Sequence, residues 1–213
     1  MKYKCLIFDC DGVLVDSEKI SAEVFQAMVS ELGCDLEFAT VLEQITGTSM
    51  ATNLKFFEEK LGRELPEGFE AEFRKRSYKA FQTDLKPIPG IHELLKEIKV
   101  PIGVASSGPA EKIRRNLETV QLLDKFDGHV FSCFDIGSWK PEPDIYLHAA
   151  KTMGFQPHEC AVIEDSTVGI KAALAGGFDV FGYANHSNKA ELEKLGAIVF
   201  SEMKELNALL EQS

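Results

Sequence analysis

Asp9 and Asp11 stand two residues apart in Phe8-Asp9-Cys10-Asp11-Gly12-Val13, directly after the apolar run Cys5-Leu6-Ile7-Phe8. Two carboxylates where a buried strand ends, followed by a glycine that lets the chain turn, can face one small site. A solvated acidic turn would use the same residues but would require no partners elsewhere. Partners are present elsewhere. Val104-Ala105-Ser106-Ser107-Gly108-Pro109 puts Ser106 and Ser107 beside the unpaired N–H groups of a helix start, a cradle for an oxyanion or phosphate. Taken alone, these serines read as ordinary helix caps. Trp139-Lys140-Pro141-Glu142-Pro143-Asp144 adds a cation ahead of two prolines that restrict the local backbone, although an isolated lysine is ordinarily a solvated surface residue. Val162-Ile163-Glu164-Asp165-Ser166 ends on two further acids before a helix, which simple capping would also explain.

Together the four segments offer two carboxylate pairs, hydroxyls with free amides, and a cation. That is the donor set of a hard cation and a phosphate group. Oxygen ligands suit octahedral Mg²⁺, which binds through one or two carboxylates, several waters and a substrate phosphate oxygen.

The elements that position these residues follow from the apolar pattern. Short continuous apolar runs at Cys5–Phe8, 102–105, 130–131, 161–163, 180–181 and 198–200 read as strands buried on both faces. Helical stretches lie between them, roughly at 110–122, 145–153, 168–175 and 189–195. This alternation predicts an α/β fold with a doubly wound parallel sheet and a Rossmann-like core, whose ligands sit outside the carboxyl ends of the strands. From about Asp16 to Leu85 the alternation stops, and 21–32, 51–61 and 67–81 read as amphipathic helices with no strand among them. The expected organisation is a catalytic core from 1–15 and 86–213 with an all-helical insertion at 16–85. The chain returns from it at Lys86-Pro87-Ile88-Pro89-Gly90, a proline- and glycine-rich boundary.

The 213 residues are 45% hydrophobic and carry a net charge of -11, which disfavours nucleic acid and anionic membrane surfaces. No apolar run approaches the roughly 20 residues that span a bilayer, and no cleavable signal precedes the first strand, so a soluble cytoplasmic protein is expected. The five cysteines lack a CxxC pair and read as reduced thiols. Cys10 has no histidine near it in sequence to act as its base and reads as a spacer.

The four segments, in this order and with a helical insertion after the first, resemble the haloacid dehalogenase superfamily. More narrowly they are similar to its sugar-phosphate phosphatases with a small helical cap, relatives of beta-phosphoglucomutase. The resemblance spans essentially the whole chain. It rests on Asp9-x-Asp11-Gly12-Val13 with Asp16-Ser17-Glu18, on Lys140-Pro141-x-Pro143-Asp144, and on Glu164-Asp165-Ser166-x-x-Gly169 with Ala175-Gly176.

The resemblance implies a Mg²⁺-dependent phosphatase that acts on a small phosphorylated metabolite, a sugar or sugar-acid phosphate, through an aspartyl-phosphate on Asp9. Asp11 becomes the general acid and then the base. Asp9, Asp11 through its backbone carbonyl, and Asp165 would hold the metal, with Glu164 as a further ligand or a supporting partner. Lys140 and Ser106, with Ser107 and the nearby amides, would bind the phosphoryl group, and Lys140 could pair with Asp9 in the absence of substrate. A cap loop at 44–50 would present Gly47 and Thr48 to the substrate, although an ordinary helix connection fits those residues equally well. The mutase relatives carry a cap arginine and a cap histidine where this chain has Met50 and Ser21, so hydrolysis is preferred to phosphoryl shuttling.

Two other readings use similar residues. A phospho-accepting signalling domain also combines acids, a hydroxyl and a lysine on a doubly wound sheet, but lacks the helical insertion. A metal-free dehalogenase needs neither Asp11 nor Glu164-Asp165 as a metal site. The scattered histidines His92, His129, His148, His158 and His186 read as surface or structural, Trp139 as loop packing, and Gly169 and Gly176 as close helix–sheet contacts. A monomer or weak homo-oligomer is expected.

Overall fold

The computed structural model describes residues 2–46, 48, 50–126, 128–184 and 189–212. The chain separates into two compact units, Met1–Val15 with Lys86–Ser213, and Asp16–Leu85.

The first unit is built on six parallel strands: β1 (Cys5–Phe8), β2 (Ile102–Ser106), β3 (Val130–Ser132), β4 (Cys160–Glu164), β5 (Asp179–Tyr183) and β6 (Ile198–Phe200). They lie in the order β3-β2-β1-β4-β5-β6. Every residue of β1, β2 and β4 is buried, as their unbroken apolar runs require when helices cover both faces of a sheet. One face is closed by a cluster that includes Ile7, Val162, Tyr146, Ala149 and Ile170.

The winding reverses between β1 and β4, and the crevice beyond their carboxyl ends is the natural ligand site of such a sheet. Phe8 is in register with Val104 on one side and Ile163 on the other. The ladder continues one residue further, where Asp9 N donates to Ile163 O at 2.9 Å. Asp9, Ser106 and Glu164 therefore come to nearly one level although 155 residues separate the first from the last.

The second unit holds α1 (Glu18–Ser30), α2 (Phe38–Ile45), α3 (Met50–Leu61) and α4 (Phe69–Asp84). Phe25 of α1 is its hub, with ring centroids 4.8 Å from Phe57, 4.1 Å from Phe73 and 5.9 Å from Phe69. The eight-residue helix α2 was not expected from the pattern, and it shortens the anticipated loop: Gln44 and Ile45 are helical and Met50 already begins α3. Only 46–49 connects them, and Gly47 lies outside the described residues.

Back in the first unit, the remaining helices are α5 (Ile91–Glu97), α6 (Ala110–Thr119), α7 (Cys133–Ile136), α8 (Asp144–Thr152), α9 (Thr167–Ala175), α10 (Lys189–Leu195) and α11 (Met203–Gln212). Helix α5, with seven residues, and α7, with four, are too short to show a reliable 3.6-residue period, which is why the pattern missed them. Helix α11 was also not anticipated, though it buries Met203, Leu206 and Leu210 at helical spacing. Pro109 caps α6 in extended conformation instead of forming its first residue.

Candidate active site

The end of β1 carries Asp9, 8% exposed, and the end of β4 carries Glu164 at 1% and Asp165 at 5%. Carboxylates this deep need partners. Lys140, from the loop before α8, provides one for two of them: its Nζ donates to Asp9 Oδ1 at 2.5 Å and to Glu164 Oε1 at 2.6 Å. The lysine side chain is 3% exposed, so this is a dry ion triad and not a surface pair.

Glu164 is held on every side. Tyr146 OH donates to Oε1 at 3.0 Å, while the backbone N–H and the hydroxyl of Ser166 donate to Oε2 at 2.8 and 2.9 Å. The Lys140 ammonium also stands 4.9 Å from the centre of the Tyr146 ring. Gly169 completes the enclosure, because a Cβ there would lie 1.7 Å from Glu164 Oε1. Gly169 therefore makes the close helix–sheet contact read from the sequence, and the sheet group it makes room for is a carboxylate. Ser166 additionally accepts from Gly169 N at 3.1 Å, so the capping role read from the sequence is present and coexists with the ionic one.

The electrostatics follow from this crowding. Burial pushes the Asp9 carboxyl up, Lys140 pulls it down and Glu164 pushes it up again, leaving it at about 7. For Lys140, burial alone would lower the ammonium, but Asp9 and Glu164 outweigh it and hold it well above its usual range. Burial and Glu164 push the Tyr146 phenol up, so it remains a neutral donor. Burial, reinforced by Asp11, also keeps Cys10 a neutral thiol, in keeping with a spacer.

Asp165 approaches β1 from the other side. Gly12, at φ +85°, turns the chain after Asp11, and a Cβ there would fall 2.0 Å from Asp165 Oδ2. Glycine is needed at that position both for its backbone conformation and for the carboxylate beside it. The Asp11 side chain, 27% exposed, is bound by Lys112 of α6 at 2.5 Å.

At the end of β2, Ser106 is 2% exposed and its hydroxyl accepts from Gly108 N at 3.2 Å. It closes a turn and is not the cap of α6. Ser132, at the end of β3, donates to Gly108 O at 2.7 Å and pins the same turn. Ser107 is exposed. Trp139 is 44% exposed and meets Phe134 edge to face at 5.4 Å, so it does not pack the loop inward as expected.

Three contributors were missed in the sequence. Lys112, Tyr146 and Ser132 lie inside helices or a strand end with no motif around them. The one available signal was Lys112 in the first turn of a helix, where the dipole disfavours a cation unless an acid compensates. In the other unit, the Thr48 hydroxyl lies within hydrogen-bond distance of Gln44 O, at 2.7 Å, and of the Asn53 side-chain amide, at 2.6 Å.

A match to the family model described as haloacid dehalogenase-like hydrolase covers residues 3–177. The chain belongs to the haloacid dehalogenase-like hydrolases. It is 29% identical over 98% of its length to the 6-phosphogluconate phosphatase of Escherichia coli (strain K12), covering 95% of that protein. It is 28% identical to a phosphorylated carbohydrates phosphatase of Thermotoga maritima, covering 98% of this chain and 99% of the other. Among solved structures, a hydrolase of this family from Deinococcus radiodurans R1 with bound phosphate and sodium superposes with a TM-score of 0.85 at 30% identity, covering 99% and 96% of the two chains. These relatives indicate a phosphatase within the hydrolase family.

Proposed function

We propose that this hydrolase is a Mg²⁺-dependent phosphomonoesterase for a small phosphorylated sugar or sugar acid, working through an aspartyl-phosphate on Asp9. The observation that carries this reading is the dry triad, a carboxylate at the end of the central strand whose cation is itself fixed by Glu164. The substrate class is supported by the similarity to phosphatases named for 6-phosphogluconate and for phosphorylated carbohydrates.

Among the described residues no group of three or more His, Cys, Asp or Glu side chains is arranged to hold a metal ion by itself. Mg²⁺ does not require one, since one or two carboxylates with carbonyl, water and phosphate oxygens suffice. The site also places four carboxylates, Asp9, Asp11, Glu164 and Asp165, beside two ammonium groups, Lys140 and Lys112, so a divalent cation offsets the excess of acid. The residues fit. Asp9, the Asp11 carbonyl and Asp165 would hold the ion, which supplies charge compensation to the phosphoryl oxygens. Glu164 is excluded from that role in this reading because Lys140, Tyr146 and Ser166 already occupy both its oxygens.

The chain's own residues perform the remaining steps. A carboxylate nearing a single negative charge at 4 Å meets roughly 4 kcal/mol of repulsion at an effective dielectric of about 20, and a phosphate dianion about twice that. Lys140 offsets part of it and shifts from Asp9 toward the phosphoryl group as Asp9 attacks phosphorus. Ser106 and the turn amides orient the group in line. Asp11 gives its proton to the bridging oxygen as the P–O bond breaks, then takes a proton from the water that hydrolyses the intermediate.

Release of inorganic phosphate from a panel of sugar and sugar-acid phosphates, with Mg²⁺ or with chelator, tests the reading. Turnover is expected with Mg²⁺ in the native protein and a loss of more than about 10³-fold in Asp9→Asn. Equal release by Asp9→Asn, or full activity in chelator, overturns it.

A further inference from the structure

Lys112 is the site's second cation, and the transfer of the phosphoryl group to Asp9 does not use it. It is the third residue of α6, at the helix end where the macrodipole disfavours positive charge. A lysine placed there would ordinarily extend into solvent, yet its side chain is only 16% exposed and its Nζ donates to Asp11 Oδ2 at 2.5 Å. The lysine stem passes close beside Gly108. A Cβ at Gly108 would stand 3.3 Å from Lys112 Cδ and 3.7 Å from Nζ, and 3.6 Å from Ser106 Oγ. The ammonium thus sits between the Asp11 carboxylate and the turn that Ser106 and Ser132 fix.

We infer that Lys112 is a positioning residue for the second half of the reaction, the hydrolysis of the phosphorylated Asp9. This rests on the reading of Asp11 as acid and base. Once Asp11 has given its proton to the leaving alcohol it is a carboxylate, and an adjacent ammonium orients it. In that state it must receive a proton from water while the water oxygen attacks phosphorus and the bond from phosphorus to the Asp9 oxygen breaks, its electron pair returning to the Asp9 carboxylate. Inorganic phosphate leaves and Asp11 is again protonated. Without Lys112 the carboxylate loses this charged contact, and misplacement of a reacting group by about 1 Å can cost roughly 10²-fold in rate.

The kinetic signature is specific. Slowing only the hydrolysis of the intermediate lowers kcat and KM together and leaves kcat/KM unchanged. With p-nitrophenyl phosphate, Lys112→Met is expected to lower kcat about 10–100-fold, to leave kcat/KM within about threefold, and to release a burst of p-nitrophenolate stoichiometric with enzyme. Lys112→Arg, which keeps the charge, is expected to restore most of kcat. A fall in kcat/KM equal to that in kcat, with no burst, overturns the inference, because Lys112 would then act before or during phosphoryl transfer. Asp11→Asn separates the two levels. Undiminished turnover in Asp11→Asn overturns the reading of Asp11 and this inference with it, whereas an inactive Asp11→Asn beside a Lys112→Met of native kcat overturns this inference alone.

Discussion

The Asp9–Lys140 and Asp11–Lys112 pairs occupy one cluster of strand ends, each with an N–O separation of 2.5 Å, yet their surroundings differ. The Lys140 and Asp9 side chains are 3% and 11% exposed, whereas those of Lys112 and Asp11 are 16% and 27% exposed. Lys140 also answers to Glu164, which Tyr146, Ser166 and the bare Cα of Gly169 hold from three further directions. The dry pair is thus over-determined, and the other is the wetter of the two. In the proposed mechanism that division suits their tasks: a nucleophile must stay where it is aimed, and a proton carrier must change partners.

Removing a cation tests the contrast directly. Lys140→Met strands two buried carboxylates, and taking one partner from a buried pair costs about 3–5 kcal/mol. Urea denaturation is expected to show a loss of that size together with loss of phosphate release. A denaturation midpoint like that of the native chain would break the comparison, since the triad would then be no more than a surface pair.

Gly169→Ala attacks the same triad from behind. The new methyl would overlap Glu164, which has no solvent to retreat into, and overpacking of this kind costs about 1–3 kcal/mol. A loss in that range by urea titration, with a lowered kcat, is expected. Native stability would mean that Glu164 moves freely, against the geometry.

The dry pair should also leave its mark on pH dependence. Asp9 lies at about 7 in the folded chain against an ordinary 3.8, so folding tightens its hold on a proton. Its contribution to stability is fully present below about pH 4 and is lost as pH rises through about 7. In chelator, the melting temperature is expected to fall from about pH 5 to about pH 8, with a flatter profile in Asp9→Asn. Parallel profiles for the two proteins would remove Asp9 as the source.

The smallest effect belongs to the wetter pair. Lys112→Met is expected to cost less than about 1 kcal/mol in the same denaturation experiment, because this pair keeps contact with water that screens it and can solvate Asp11 once the lysine is gone. A loss as large as that for Lys140→Met would make the two pairs equivalent and undo the contrast.

Much of this arrangement was legible along the chain because strands buried on both faces write unbroken apolar runs, and catalytic groups of such sheets follow those runs immediately. Asp9, Ser106 and the pair Glu164-Asp165 each sit at such a junction, and the core strands fall where the runs predicted them. Lys112, Tyr146 and Ser132 were not legible, since a residue on a helix face or at a β3 strand end carries no mark of which distant atom it will meet. Gly169 was read as a close helix–sheet contact and is one; what the small residue did not disclose is that the sheet group it makes room for is the Glu164 carboxylate at the end of β4. The helix at 38–45 was lost because eight residues give barely two turns of periodicity.

The amino-acid sequence by itself determined the fold class, the strands and the residues at their ends, because burial periodicity and the chemical type of a side chain are local properties. Only the tertiary structure decided that one ammonium serves both Asp9 and Glu164, that Lys112 answers Asp11, and that Gly12 makes room for the Asp165 carboxylate. Those facts depend on strand order and register, which bring together residues more than 100 positions apart and which no local pattern encodes.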